Sequence, residues 1–208
     1  MFPTKRSSDS QGSSASPPAA SSRALEWLWQ SLRDVKRPQI LDCGPPHQST
    51  FDVLLKRGSK LYSADLITLA RESDLKFVRR LGKKTEFLTD AFLENLPPIP
   101  TGCLSVVACW QLLDLLPREA LPGLVSKLWS YLRTGGALFF LLREPSLANG
   151  AGTRWWLESL LALRSDVESK LPFPHPAITN REIERLVPSG NVKTFLTRLA
   201  RREILAIK

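Results

Sequence analysis

The 208-residue sequence is poor in the residues from which chemistry is most easily read: two histidines, three cysteines, two tyrosines and one methionine. His47 and His175 stand alone, and Cys43, Cys103 and Cys109 form no Cys-x-x-Cys pair. Neither a metal-ligand spacing nor a dithiol redox pair is therefore written in the chain, and no metal site is expected. Each cysteine lies in or beside an apolar run and is expected as a small hydrophobe of a reducing compartment, buried rather than cross-linked. No apolar run approaches the roughly 20 residues of a membrane span. The opening MFPTKRSSDSQGSS lacks the apolar stretch of a secretory signal, and Asp9 together with the missing amphipathic pattern argues against a transit peptide. The expectation is a cytoplasmic protein without a membrane partner. No G-x-x-x-x-G-K-[ST] occurs, which excludes a P-loop.

Acidic residues are outnumbered, 20 against 29 basic ones, and the net charge of +9 raises the question of an anionic partner. The excess is spread along the chain except over residues 181–208, which carry +4. Arg198, Arg201, Arg202 and Lys208 would suit phosphates, but nothing there alternates with aromatics, and a solvated strand face and turn is the simpler expectation. An RNA-binding role rests on net charge alone.

Residues 1–22 are Ser, Ala, Pro and Gly with little to bury, and read as a disordered tail ahead of one domain over 23–208. Leu25, Leu28, Trp29 and Leu32 follow helical spacing up to Pro38. The pattern then alternates. Gln39–Cys43 reads as a buried strand, and Ser49-Thr-Phe-Asp52 as a capping box that opens a helix ending at Gly58. Lys60–Ala64 is a second strand, Asp74–Leu81 a helix, Thr85–Leu88 a third strand and Cys103–Cys109 a fourth. Leu121, Leu124, Val125, Leu128 and Leu132 form one apolar stripe, and Ala137–Leu142 is a fifth strand whose unbroken apolar run needs cover on both faces. Trp156, Leu160 and Leu163 predict a helix over Thr153–Leu163. Adjacent tryptophans on a helix diverge, so at most one of each pair, Trp27 or Trp29 and Trp155 or Trp156, needs burying. Leu171–Ala177 is a loop, Thr179-x-x-Glu182 caps a short helix, and Val192–Leu199 with Glu203–Ile207 form a closing hairpin. Repeated strand and helix imply an α/β protein with a mostly parallel sheet, which binds ligands at the carboxyl ends of its strands.

Asp42, Asp65 and Asp90 end the first three strands, and each has a bland role open to it as a helix cap or turn residue. Gly44 lies in the first turn, and Asp65 follows it by 21 residues, a spacing that lets a carboxylate accept both hydroxyls of a ribose. Gly44-Pro45-Pro46-His47-Gln48 offers few N–H groups and no second glycine for a pyrophosphate, which disfavours a dinucleotide. S-adenosylmethionine (SAM) has the ribose and adenine without phosphate, and its cationic groups suit nearby acids.

In order and spacing, Ile40-Leu-Asp-Cys-Gly44, Tyr62-Ser-Ala-Asp65, Leu88-Thr-Asp-Ala91, Ser105–Leu113 and Leu132-Arg-Thr-Gly-Gly-Ala-Leu138 resemble the successive motifs of class I SAM-dependent methyltransferases, across Pro38–Leu142. The resemblance implies a three-layer Rossmann-like fold with a seven-stranded, mostly parallel sheet whose last strand is antiparallel. It places Asp42 and Gly44 beneath the methionine moiety, Asp65 on the ribose, Asp90 at the adenine amino group with Ala91 beside the ring, and Cys109, Trp110 and Gln111 along the floor near the methyl. Trp155, Trp156 and His175 fall in the region that often covers the acceptor in this family. The chain departs from the family pattern where Pro46 and Gln48 replace the second and third glycines and Leu104 the acid opening the fourth strand. Methyl transfer needs mainly positioning, so no catalytic residue is named and the acceptor stays open. The rival expectation is a catalytically silent scaffold or regulator on the same fold, favoured by Pro45-Pro46 and opposed by Asp65 and Asp90.

Overall fold

The computed structural model describes residues 19–72, 76–82, 84–144, 151–188, 191–197 and 201–208. In chain order its elements are β1 (Ala20–Ser21), α1 (Arg23–Ser31), β2 (Gln39–Asp42), α2 (Gln48–Lys56), β3 (Lys60–Ser63), α3 (Leu66–Arg71), β4 (Val78–Leu81) and β5 (Lys84–Phe87). Then come α4 (Thr89–Leu93), β6 (Leu104–Trp110), α5 (Leu112–Leu115), α6 (Leu121–Tyr131), β7 (Leu132–Arg143), β8 (Ala151–Ser159), β9 (Ala162–Pro172), α7 (Asn180–Leu186), β10 (Val192–Leu196) and β11 (Arg201–Ile207). Among the described residues no helix is long and apolar enough to cross a membrane.

The main sheet has six strands in the order β10-β11-β7-β6-β2-β3. β3, β2, β6 and β7 run parallel, and β11 is antiparallel to both of its neighbours. The antiparallel last strand agrees with the sequence, and so does the closing hairpin. Its centre is β7, where every residue from Ala137 to Leu142 is buried. Successive side chains of a strand point to opposite faces, so both faces of β7 are covered, as its unbroken apolar run requires. α1 begins at Ser22, whose hydroxyl accepts from the Leu25 N–H, and buries Leu25, Leu28 and Trp29 as the spacing predicts. At α7 the Thr179–Glu182 capping box forms in full.

Four expectations are corrected. The main sheet has six strands among the described residues, not seven, because the third strand pairs elsewhere. Lys84–Phe87 forms a two-stranded ladder with Val78–Leu81, which was expected to be helical; residues 73–75 lie outside the described ones. Arg79 pairs with Glu86 across this ladder at 2.6 Å, and Gly82, at φ 64°, takes the turn. Phe77, Phe87 and Phe92 cluster at 5.4–6.3 Å beside it. A hairpin closes a far shorter loop than a crossover into the large sheet, which favours the local pairing.

Thr153–Leu163 is not a helix either. Trp155 pairs with Ser165, Trp156 with Arg164 and Leu157 with Leu163 in the β8–β9 hairpin, to which β1 adds a third strand. Both Trp155 and Trp156 are therefore buried, on opposite faces, where a helix would have buried one. Thr, Trp and Val favour strands, and the hairpin gains a partner in α2 that no local helical pattern shows. Lastly, α2 is capped two residues earlier than Ser49. His47 is its N-cap, with Nδ1 accepting from the Ser49 N–H at 3.3 Å, and the Ser49 hydroxyl donates instead to the Leu157 carbonyl at 2.6 Å.

Candidate functional site

Parallel β2 and β6 bring Asp42 and Trp110 together at their carboxyl ends. Asp42 is buried, and its Oδ1 accepts from the Gly44 N–H at 3.0 Å and from the Trp110 indole N–H at 2.6 Å. Trp110 is 4% exposed and has φ 51°, in the left-handed region that bulky residues rarely enter. This backbone turn at the end of β6 directs the indole over the first strand-to-helix turn and edge-on against Phe139, with ring centroids 6.0 Å apart. A Cβ on Gly44 would stand 2.7 Å from the indole, so the glycine is needed because Trp110 lies on it.

Burial pushes the Asp42 carboxyl up to about 6, against the lowering effect of its two hydrogen bonds, with the nearby Asp65 charge adding to the rise. An acid whose folded pKa lies above its unfolded one destabilises the fold once ionised. Its unfavourable contribution is absent below about pH 4, grows as pH rises through about 6 and is constant above that. Asp42→Asn keeps the accepting oxygen and removes the ionisation. The variant is expected to gain on the order of 2 kcal/mol over the parent between pH 4.5 and pH 7.5, read as the difference in urea-unfolding free energies. An equal difference at both pH values would contradict a raised Asp42.

The β8–β9 hairpin closes the cleft from the other side. The Leu157 N–H donates to Thr50 Oγ1 at 3.0 Å, Arg154 donates to the Pro46 carbonyl at 2.8 Å, and Trp156 stacks on His47 with centroids 4.4 Å apart. Desolvation and the Arg154 charge hold the His47 imidazole below its usual range, consistent with its Nδ1 acting as acceptor. Among the described residues, a void of about 20 Å³ lies beside Trp110 between Asp42, Thr50 and Leu157, and another of about 10 Å³ between Pro45, Gln111 and Trp155. Clefts for small molecules run to about 300–1,000 Å³.

The remaining sequence candidates divide. Cys109 and Gln111 are buried beside Trp110, and the Cys43 thiol is pushed well up by its contact with Cys109 and by burial, which keeps it protonated and unreactive. Asp65 is half-buried and caps α3, accepting from the Thr68 N–H at 2.9 Å. Asp90 is exposed and lines a separate open concavity of about 470 Å³ with Lys127 and Tyr131, while Ala91 packs on the core. The His175 carbonyl accepts from Arg143, which ties the Pro-rich loop to the end of β7.

The basic end of the chain is not the solvated face expected. Arg202 is buried, with Nη2 donating to the Arg143 carbonyl at 2.7 Å and further bonds to Ile178 and Asn180; Lys208 donates to the Trp129 carbonyl at 3.0 Å. Arg198 lies outside the described residues. Arg154, Thr50 and Arg143 were missed from the sequence. Their partners lie 29 to 108 residues away, and no local motif announces them.

No protein-family model matches the sequence, and no curated protein matches it. Among solved structures, the chain is similar to the 1,6-didemethyltoxoflavin-N1-methyltransferase of Burkholderia thailandensis with bound 1,6-didemethyltoxoflavin and S-adenosylhomocysteine, at 16% identity over 89% of this chain and 76% of that one, TM-score 0.48. It is also similar to SAM-dependent methyltransferases from Methanosarcina mazei, at 15% identity over 83% and 93% of the two chains with TM-score 0.46, and from Archaeoglobus fulgidus, at 11% identity over 88% and 92% with TM-score 0.48. Many of the solved structures that this chain is similar to are SAM-dependent methyltransferases.

Proposed function

We propose that this protein keeps a methyltransferase-like fold with its SAM cleft closed from within by Trp110, so that methyl transfer does not proceed from this arrangement. One observation carries this reading: the Trp110 indole stands on Gly44 and occupies Asp42 Oδ1, in the turn to which the motif resemblance assigns the methionine moiety. The residues present do not fit SAM in this arrangement. The voids beside Trp110 are each about the size of a water molecule, and Arg154 and Trp156 bind the hairpin across the same turn.

A second reading is favoured by Asp65. Its carboxylate sits at the end of β3, beside β2, and capping Thr68 leaves it acceptor capacity for a ribose. On that reading the protein is a SAM-dependent methyltransferase of an unidentified acceptor, and Trp110 and the hairpin must move before the cofactor enters. Thermal unfolding with about 1 mM SAM or S-adenosylhomocysteine decides between them. Ligand at 100 times its Kd would stabilise by about 2.7 kcal/mol and raise Tm by roughly 5 °C or more. No shift is expected. A shift of that size that Asp65→Ala abolishes would establish the methyltransferase reading instead.

A further inference from the structure

A cavity of about 620 Å³ lies among the ends of β7 to β11 and the entry to α1. Trp155 belongs to both this cavity and the small void beside Trp110, whereas Asp42, Gly44 and Asp65 do not line it. The cavity thus lies outside the turn of Asp42 and Gly44. One wall is apolar, formed by Leu141, Trp155, Leu163, Phe195 and Leu196. Leu196, at the mouth, is 73% exposed.

The charge lining the cavity is uneven. Glu203 is buried, and its Oε2 accepts from the Ser22 hydroxyl at 2.9 Å and the Ala24 N–H at 3.1 Å, so its charge is committed to the start of α1. Arg201 holds its guanidinium 5.6 Å from the centre of the Trp155 ring, and Arg23 stands exposed in the first turn of α1. A cation resting on an aromatic face beside an aliphatic wall suits a molecule with an anionic head and an apolar body. The volume is in the range of small-molecule sites.

We propose that this cavity binds a small amphipathic organic anion, with the head at Arg201 and Arg23 and the apolar body against Trp155, Phe195 and Leu196. Acyl chains and aromatic acids share this chemistry, and the probes separate them. The test titrates the full chain with 8-anilinonaphthalene-1-sulfonate, then competes the dye with 1-naphthoate, with decanoate and with the neutral 1-naphthalenemethanol. Saturable binding of one dye per chain is expected, displaced by at least one of the two carboxylates and at least about tenfold less well by the alcohol. Displacement by decanoate alone identifies an acyl ligand, by naphthoate alone an aromatic one. Leu196→Glu, at an exposed position that leaves the fold intact, is expected to weaken binding about tenfold or more, and Arg201→Gln likewise, each variant checked for the parent's cooperative melting. Three results would overturn the proposal: no saturable binding up to about 1 mM, binding that Leu196→Glu leaves within about twofold of the parent, or equal displacement by the alcohol.

Discussion

Arg143→Met is expected to destabilise the protein by about 3–5 kcal/mol, the loss typical of removing one partner of a buried ion pair. Arg143 ends β7 at 2% exposure, and its guanidinium lies over the Phe173 ring, 4.2 Å from the centroid. Facing it is Asp114 at 0% exposure, whose Oδ2 accepts from the Arg143 N–H at 2.8 Å and whose Oδ1 lies 3.7 Å from the Arg143 Nε. Burial pushes the Asp114 carboxyl up, and Arg143, Arg201 and Arg202 oppose that rise. Without Arg143 the carboxyl rises further.

The pH dependence follows with a definite sign. Below about pH 4 Asp114 is protonated folded or unfolded, and the loss is limited to packing and the guanidinium bonds. As pH rises above that value the unfolded chain releases the proton and the folded variant does not, so stability falls. The deficit of Arg143→Met should thus be larger at pH 7.5 than at pH 4.5 in urea unfolding. Adding Asp114→Leu should recover much of it, since a buried pair replaced whole by apolar side chains is often close to neutral. A deficit equal at both pH values, or a double variant no better than the single, would show that Asp114 is not the group left uncompensated.

This pair also shows where the sequence stops being informative. The strands near Ile40, Val106 and Phe139 and the helix through Leu124 and Leu128 are legible because each repeats one local period, and the strand-end positions of Asp42 and Asp65 follow from them. Trp156, Leu160 and Leu163 satisfy the helical period equally well, yet the chain there is a hairpin. Its stability comes from Thr50, Pro46 and His47, about 100 residues earlier, which no window of sequence contains. The direction of Trp110 is hidden for the same reason. Trp110 is visible in the sequence and belongs to the floor of a cofactor cleft by resemblance, but its direction depends on a positive φ that the composition around Cys109 and Gln111 does not signal. A large aromatic next to a turn that needs a bare glycine was the available clue, and it becomes one only when β2 and β6 are known to be neighbours.

Trp110→Ala carries the largest expected change in ligand behaviour. Emptying a site this buried costs about 3–5 kcal/mol, from lost contacts with Phe139 and Gly44 and from the indole N–H taken away from Asp42. It also joins the two small voids on either side of the indole into one space beneath Asp42. If Trp110 is what keeps SAM out, S-adenosylhomocysteine at about 1 mM should raise the Tm of Trp110→Ala by several degrees while leaving the parent unmoved, and adding Asp65→Ala should remove the gain. Gly44→Ala gives an independent check on the same contact. Its Cβ would stand 2.7 Å from the indole, so it should destabilise the parent strongly and the Trp110→Ala background little, a non-additivity that a double-mutant cycle reads without any ligand. A parent that binds the ligand as well as Trp110→Ala does would show that the indole yields readily, and the protein would then be an enzyme with a mobile cover. A Gly44→Ala effect that is the same in both backgrounds would show that Trp110 does not rest on the turn.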